Sequence, residues 1–243
     1  MIFQYGTPRV PADWRVAEKN PPGYCRIYHV LSGDVIYRDA DSEVRLEKEH
    51  VYIFPSDSAY EMRQDPEDPL ECSFIHLDIS PAKVSRLISI DMGECEYTRG
   101  VFAAIRAAVN DDSGARVRKL VSAFEIFCSE KGYFDEYDPR ILPSVSYICN
   151  NIKSRITVTD IAGVSGYHEQ YFIKLFRQST GVTPHRFLVN QRLKEARRLL
   201  SEELTITEIA ERTGFSEVNS FCRAFRSEFG ISPSEFRKSD ISP

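Results

Sequence analysis

The side chains best suited to recognising a polar partner lie in two short segments near the C-terminal end of the chain. In each segment, basic and amide residues recur every three or four positions, opposite a pair of phenylalanines. On a helix, this spacing places Phe172 with Phe176, and Phe221 with Phe225, on one buried side. The residues that then face outward are Gln170, Ile173, Lys174, Arg177, Val218, Asn219, Cys222, Arg223 and Arg226.

These outward residue types complement the edges of DNA bases. Arg and Lys donate hydrogen bonds to guanine, Asn and Gln pair with adenine, and apolar atoms contact the thymine methyl group. Arg177 and Arg226 come one turn later than the others, which favours contacts with phosphate. We therefore predict two helices that bind in the major groove of duplex DNA. The alternative is that both are solvated faces of an ordinary helical bundle.

The two segments belong to an internal duplication. Residues 166–187 (GYHEQYFIKLFRQSTGVTPHRF) and 214–236 (GFSEVNSFCRAFRSEFGISPSEF) share Phe, Gly and Pro positions at an offset of 49. The residues upstream of them align at an offset of 48, so the second copy has one residue inserted between its Gly and its first Phe. Two copies are too few for a solenoid, and a duplicated small helical unit is the better interpretation.

Each copy carries the signals of a helix-turn-helix. A short helix ends at a Gly four residues after an Ala, and a second helix follows that would enter the major groove. The predicted helices span about residues 158–164, 169–179, 206–213 and 217–228. The expected capping residues are Thr157 with Asp160, Thr205 with Glu208, Thr183 and Ser232 before prolines, and the helix-ending Gly181 and Gly230.

The two copies differ in how firmly they are expected to be built. His168 stands in the first copy where the second has Ser216, a better capping residue. Gly163 lies inside the first helix of the first copy, where it costs up to about 1 kcal/mol relative to Ala. We therefore predict that the first copy is the less discriminating reader.

Charge divides the chain into two parts. Residues 1–138 contain 16 Lys and Arg against 25 Asp and Glu, whereas residues 139–243 contain 15 against 11. Only the second part, with a net charge of +4 against −9 for the first, favours a polyanion. No membrane span or secretory leader is apparent, and the six scattered cysteines show no CxxC spacing. We expect a cytoplasmic protein without disulfides or a zinc site.

The front part predicts strands followed by helices. Residues 24–80 alternate short β-branched and aromatic runs with turn residues, as in an antiparallel sandwich or barrel. From about Pro81 a helical period replaces this pattern, with residues 110–114 as a turn between two helices. We divide the chain into a β-barrel domain (1–80), a helical hairpin with a linker (81–138) and an all-helical domain (139–243).

Residues 140–238 resemble the DNA-binding domain of AraC-family transcription regulators. The motifs are ITVTDIAGVSGYHEQYFIKLFRQSTGVTPHRFLVNQRLKEARRLL and ITEIAERTGFSEVNSFCRAFRSEFGISPSEFRK. The resemblance implies seven helices, with residues 184–200 as a connector between two helix-turn-helix units. Such a connector spans about 25 Å and one DNA turn about 34 Å, so we expect the DNA to bend slightly when both helices bind.

The β-region resembles the cupin-like effector domain that precedes such DNA-binding domains, through RIYHVLSGDVIY, LEKEHVYIFPSDSAYEM and SFIHLDISP. The resemblance turns the strand face with Arg26 toward the barrel interior, whereas simple alternation would bury the opposite face. The predicted effector-binding residues, suited to a sugar or a carboxylate, are Arg26, Tyr28, Tyr60, Phe74 and His76. The alternative is that they are ordinary core and surface aromatics.

The residues give no sign of catalysis. Metal-binding cupins use a His and Glu cluster that this chain lacks. Tyr60 stands where a His is common and Glu49 where a Gly is usual, and His29, His50 and His76 show no paired metal-ligand spacing. Neither a nucleophile elbow nor a P-loop nor a dinucleotide fingerprint occurs. We predict no catalytic residue, no metal and no cofactor.

The expected fold class is α+β multidomain: a cupin-like antiparallel β-barrel with an αα-hairpin, then an all-α domain of two helix-turn-helix units joined by a linker helix. The expected function is a ligand-responsive transcription regulator, an activator rather than an enzyme, that binds operator DNA and a small-molecule effector such as a sugar. The hairpin of resembling proteins forms a dimer interface, so we expect a homodimer, with RNA polymerase as a further partner. The alternatives are a front half that only dimerises, and a cupin enzyme fused to a DNA-binding domain.

Overall fold

In the computed structural model, residues 2–18 and 21–238 are described. The chain divides into two compact units, of which the first ends at Asp135 and the second begins at Glu136. Within the described residues, the first unit contains two helices and all of the strands, except that the second residue of the last strand falls in the second unit. In the same described residues, the second unit contains seven helices. The predicted α+β fold class is confirmed.

The first unit is built on two antiparallel sheets. One has five strands in the order β1-β8-β3-β6-β10, and the other has four in the order β2-β7-β4-β5. The strands are β1 (Ile2–Gly6), β2 (Arg15–Glu18), β3 (Cys25–Ser32), β4 (Val35–Arg38), β5 (Glu43–Arg45), β6 (His50–Ile53), β7 (Tyr60–Gln64), β8 (Glu71–Leu77), β9 (Ala82–Lys83), β10 (Ile88–Asp91) and β11 (Asp135–Glu136).

The five-stranded sheet is buried on both faces. Its inner face packs on the four-stranded sheet through a core that includes Tyr28, Phe54 and Phe74. Its outer face packs on the helical hairpin, α1 (Glu96–Asn110) and α2 (Gly114–Glu130), through residues such as Ile27. Strand β3 is therefore buried along most of its length, and alternation alone does not indicate which of its faces carries the predicted effector-binding residues.

Three features of the first unit differ from the prediction. Strands β1 and β2 lie N-terminal to residue 24, where the predicted strand pattern begins. The segment after Pro81 is not yet helical, because β10 pairs with β6 and extends the sheet past residue 80. The hairpin shares one core with the five-stranded sheet, so residues 81–135 are not a separate packing unit. Strand β2 has only four residues, RVAE, and a strand this short gives a weak sequence signal.

The second unit consists of seven helices around two cores. They are α3 (Leu142–Asn150), α4 (Val158–Val164), α5 (Glu169–Thr180), α6 (Pro184–Leu199), α7 (Ile206–Arg212), α8 (Val218–Phe229) and α9 (Pro233–Lys238). The first core gathers side chains of α3, α4 and α5 with the start of α6, and the second gathers the end of α6 with α7 and α8. The predicted helix-turn-helix pairs are α4–α5 and α7–α8, and α6 is the predicted connector.

The capping residues act as predicted, with one exception. Thr157 and Thr205 form complete capping boxes, and Ser232 exchanges bonds with Glu235 in the same way. Ser216, however, does not cap α8: the helix starts one residue later, after Glu217, and its first turn has no side-chain cap. The predicted difference in capping between the two copies is therefore wrong, because α5 after His168 also has no side-chain cap.

Candidate functional site

The two recognition helices, α5 and α8, are held by matching buried contacts. Phe172 and Phe176 on α5, and Phe221 and Phe225 on α8, are fully buried. Each helix ends at a glycine in the left-handed conformation, Gly181 or Gly230. Anchoring one side in this way leaves the opposite side of each helix exposed.

Helix α5 presents three exposed polar side chains of the predicted set. Gln170, Lys174 and Arg177 are exposed, whereas Ile173 is half-buried. Lys174 and Arg177 also line an open depression of about 400 Å³, together with Gln178. Sequence reasoning missed Gln178, although its position four residues after Lys174 places it on the same face.

Helix α8 presents a similar surface. Asn219, Arg223 and Arg226 are exposed, whereas Val218 and Cys222 are half-buried. The Arg223 guanidinium donates a long hydrogen bond of 3.4 Å to the Ser220 hydroxyl one turn earlier. The first two turns of α8 thus offer an amide and a guanidinium four residues apart on one face, a pair able to read adenine and guanine edges.

A buried arginine occupies the space between the two sheets of the first unit. Arg26 is 8% exposed, and its guanidinium donates to the Tyr60 hydroxyl at 2.6 Å, the Tyr24 hydroxyl at 2.5 Å and a Glu18 carboxylate oxygen at 2.5 Å. Burial alone would lower the pKa of Arg26, but the neighbouring tyrosine and Glu18 oxygens raise it above its usual value. The arginine is charged at any physiological pH.

Aromatic rings line the same space. The Tyr28 hydroxyl lies 3.4 Å from His76 Nε2, and the His76 ring packs on Phe74 with the ring centroids 5.0 Å apart. Burial raises the pKa of Tyr28 well above its usual value, so the hydroxyl stays protonated. An arginine, three tyrosine hydroxyls and apolar walls can bind a small molecule with a carboxylate or several hydroxyl groups.

The structure brings the five predicted effector residues together, on the face that the resemblance indicated. Arg26 and Tyr28 lie on β3, Phe74 and His76 on β8, and Tyr60 on β7. Sequence reasoning missed Glu18, because β2, which carries it, was not predicted. No sequence signal marks Glu18, since its role depends on the pairing of β2 with β7, in which it stands opposite Tyr60.

The described part of the chain has no group of three or more His, Cys, Asp or Glu side chains that could hold a metal ion. None of the six cysteines, which all lie in the described ranges, forms a disulfide. Within residues 2–18 and 21–238, no helix is long and apolar enough to cross a membrane.

Comparison with known proteins agrees with this geometry. A family model described as a helix-turn-helix domain matches residues 161–239. The uncharacterized HTH-type transcriptional regulator YobQ of Bacillus subtilis (strain 168) is 23% identical over 233 residues, which cover 92% of this chain and 90% of YobQ. The transposon Tn10 TetD protein of Escherichia coli is 34% identical over 113 residues, which cover 44% of this chain and 82% of TetD.

The solved structure of ToxT from Vibrio cholerae O395 has the same fold. It superimposes with a TM-score of 0.68 and 16% sequence identity, over 97% of this chain and 98% of ToxT. A β-domain with a helical hairpin, followed by two helix-turn-helix units on one connector, defines a two-domain DNA-binding transcription regulator. The chain belongs to the AraC family of transcriptional regulators.

Proposed function

We propose that the chain reads its operator with both recognition helices, α5 and α8, in successive major-groove segments. The observation that carries this proposal is the matched pair of exposed faces, each with amide and basic side chains opposite two buried phenylalanines. Arg223 and Asn219 lie on the first two turns of α8 and are assigned to base edges. Arg177 and Arg226, near the ends of their helices, are assigned to phosphates.

The connector sets the path of the DNA in this proposal. Helix α6 has 16 residues, about 24 Å at 1.5 Å each, whereas one DNA turn is about 34 Å. Two helices on such a connector reach successive grooves when the DNA bends toward the protein. A straight operator in a complex would contradict this part of the proposal.

Alanine variants of Arg223 and Arg226 separate base contacts from phosphate contacts. Arg223→Ala is expected to relax the preference at one operator position by about 1–3 kcal/mol, while Arg226→Ala weakens binding equally on all sequences. Binding is measured on DNA selected by the unmodified chain and on its single-base variants. Arg118→Ala, which removes an exposed arginine from α2 in the other unit, is the matched control. Uniform weakening by Arg223→Ala would mean that Arg223 touches phosphate only.

The β-domain is proposed to sense a small molecule bound at Arg26. The buried guanidinium amid aromatic rings supports an anionic or polyhydroxylated ligand, a carboxylic acid or a sugar. ToxT, which shares the fold, was crystallised bound to (E)-4-(8-methylnaphthalen-1-yl)but-3-enoic acid. A ligand that binds one arrangement of the regulator more tightly shifts the DNA-binding population toward that arrangement.

A thermal-shift screen of sugars and carboxylic acids against the whole chain tests this sensor. A ligand at one hundred times its Kd stabilises by about 2.7 kcal/mol, and Arg26→Met is expected to abolish the shift. The rival is a β-domain that binds no ligand, which the complete pairing of Arg26 with Glu18, Tyr24 and Tyr60 favours. A ligand whose shift survives in Arg26→Met would exclude this site.

The hairpin is proposed as the surface of a homodimer. On α1, Tyr97 is 44% exposed and stacks on Phe127 of α2, with centroids 4.8 Å apart, and the adjacent Ile126 is 62% exposed. Exposed apolar side chains on a helix pair favour self-association. We infer further that the chain is not an enzyme and that it activates transcription in contact with RNA polymerase.

A further inference from the structure

The two helix-turn-helix units meet at one arginine of the connector. Arg192 of α6 donates from Nε to the Ile152 carbonyl oxygen and from Nη2 to the Ser154 carbonyl oxygen, both at 2.8 Å. Ile152 and Ser154 lie between α3 and α4, just before the first helix-turn-helix unit, α4–α5. The same guanidinium lies 5.9 Å from the ring centroid of Phe215, which is in the α7–α8 turn of the second helix-turn-helix unit.

The turn of the second helix-turn-helix unit also contacts the segment between α3 and α4 directly. A Cβ atom on Gly214 would lie 2.5 Å from the Ile152 carbonyl oxygen and 3.1 Å from the Arg192 guanidinium, and the backbone of Gly214 has φ +82°. The corresponding Gly166 of the first copy has φ +72° but no neighbour within 4 Å of its Cβ position. The duplication has therefore kept both glycines for the turn, and only Gly214 is needed for a close approach as well.

We propose that Arg192 is a positioning residue that fixes the spacing and orientation of the two recognition helices. Together with Ile152, Ser154, Gly214 and Phe215 it forms a latch between the two cores of the DNA-binding unit. A guanidinium suits this role because its planar fork reaches two carbonyl oxygens at once, which an ammonium group cannot do in a fixed geometry. The latch makes the chain selective for the distance between the two DNA segments that it contacts.

This inference rests on the proposed binding by both helices, and the test uses the full chain. Operator DNA is selected by the unmodified chain from random duplexes, and the two contacted segments are mapped by footprinting. One base pair is then inserted between them. The readout is the ratio of the Kd values for the lengthened and the original DNA, because a uniform loss of affinity cancels in the ratio.

Arg192→Gln is expected to lower this ratio by roughly tenfold, the change that the loss of one charge-assisted hydrogen bond brings to an equilibrium constant. Arg198→Gln is the matched control: it removes the same charge from the same helix, and the Arg198 guanidinium donates to Glu195 and Glu202, which lie three and four residues away. Arg192→Lys keeps the charge and decides the question if Arg192→Gln loses helical content, since it too is expected to lower the ratio.

The glycine pair provides a second, independent comparison. Ala at position 214 or at position 166 strains a left-handed turn to a similar degree, but only Gly214→Ala pushes the two units apart. The ratio of Kd values should therefore fall in Gly214→Ala and stay unchanged in Gly166→Ala. Equal ratios in the two variants would contradict the latch.

A DNA-free measurement separates failure of the latch from failure of two-helix binding. Spin labels at the exposed Gln178 and Ser227 report the distance between α5 and α8. The distribution is expected to be narrow in the unmodified chain and in Arg198→Gln, and broader in Arg192→Gln. If the selected DNA shows one protected segment only, the two-helix proposal fails. If the distribution in Arg192→Gln stays as narrow as in the unmodified chain, the latch fails.

Discussion

Replacing His29 should remove a large part of the acid sensitivity of the β-domain. His29 lies on β3 between the five-stranded sheet and the hairpin, 1% exposed, with its ring against Phe102 at a centroid distance of 5.7 Å. Neither ring nitrogen has a hydrogen-bond partner among the residues that the structure describes. Burial, aided by the positive charge of Arg106 and opposed by Glu49, lowers the pKa of His29 from 6.5 to about 4.

The sign of the effect follows from this lowered pKa. The unfolded chain takes up a proton near pH 6.5, whereas the folded chain resists protonation until about pH 4. The contribution of neutral His29 to the free energy of unfolding is therefore fully present above pH 6.5 and is lost as the pH falls toward 4. At about 1.36 kcal/mol for each pKa unit, His29 costs the folded state about 2 kcal/mol between pH 7 and pH 5.

The assay is denaturant unfolding followed by the fluorescence of Trp14. This is the single tryptophan of the chain, and its ring lies 6.4 Å from that of Tyr28, inside the β-domain. His29→Leu should lose about 2 kcal/mol less stability than the unmodified chain on going from pH 7 to pH 5. The matched control is His185→Leu, which replaces an exposed histidine of α6. Parallel pH profiles for the unmodified chain and His29→Leu would refute the assignment.

Three further perturbations test local features. Thr205→Ala should cost α7 about 1 kcal/mol, because Thr205 and Glu208 cap each other; thermal unfolding against Thr207→Ala, on the same helix, measures it, and equal stabilities would show that the cap is dispensable. Glu49 has φ 59°, so Glu49→Gly should gain up to about 1 kcal/mol while Glu49→Val loses stability; the same denaturant curves decide the order. Ile126→Glu should shift sedimentation from dimer to monomer, and an unchanged species would remove the hairpin from the proposed interface.

The DNA-binding unit could be predicted in detail because its signals are local. Threonine caps, helix-ending glycines and i, i+4 phenylalanines each act within a few residues, and the observed α4 has the predicted bounds. Helix α8 begins one residue later than predicted, because the inserted residue lengthens the turn after Gly214 and moves Ser216 away from the helix. The latch at Arg192 was invisible for the opposite reason: it joins residues 38 and 40 positions apart.

The β-domain was predictable only in outline. Its strands show clear β-branched runs in the centre of the five-stranded sheet, but β2 has only four residues, RVAE, with an exposed and half-exposed pattern. The position of Glu18 beside Arg26 depends on that strand and on its register with β7. The resemblance, not the alternation of residues, indicated which face of β3 points inward, because both faces are buried.

Strand β3 also constrains how the proposed ligand preference of this regulator could be changed. Its successive side chains point alternately toward the proposed effector site and toward the helical hairpin. A shift of its backbone therefore moves side chains on both sides of the sheet. If the proposed effector site is right, laboratory evolution toward a new effector is better directed at the four-stranded sheet, where Tyr37 and Met62 pack in the same core as Tyr28 and Tyr60. Substitutions there are expected to reshape the proposed site without disturbing the contact between β3 and the helices.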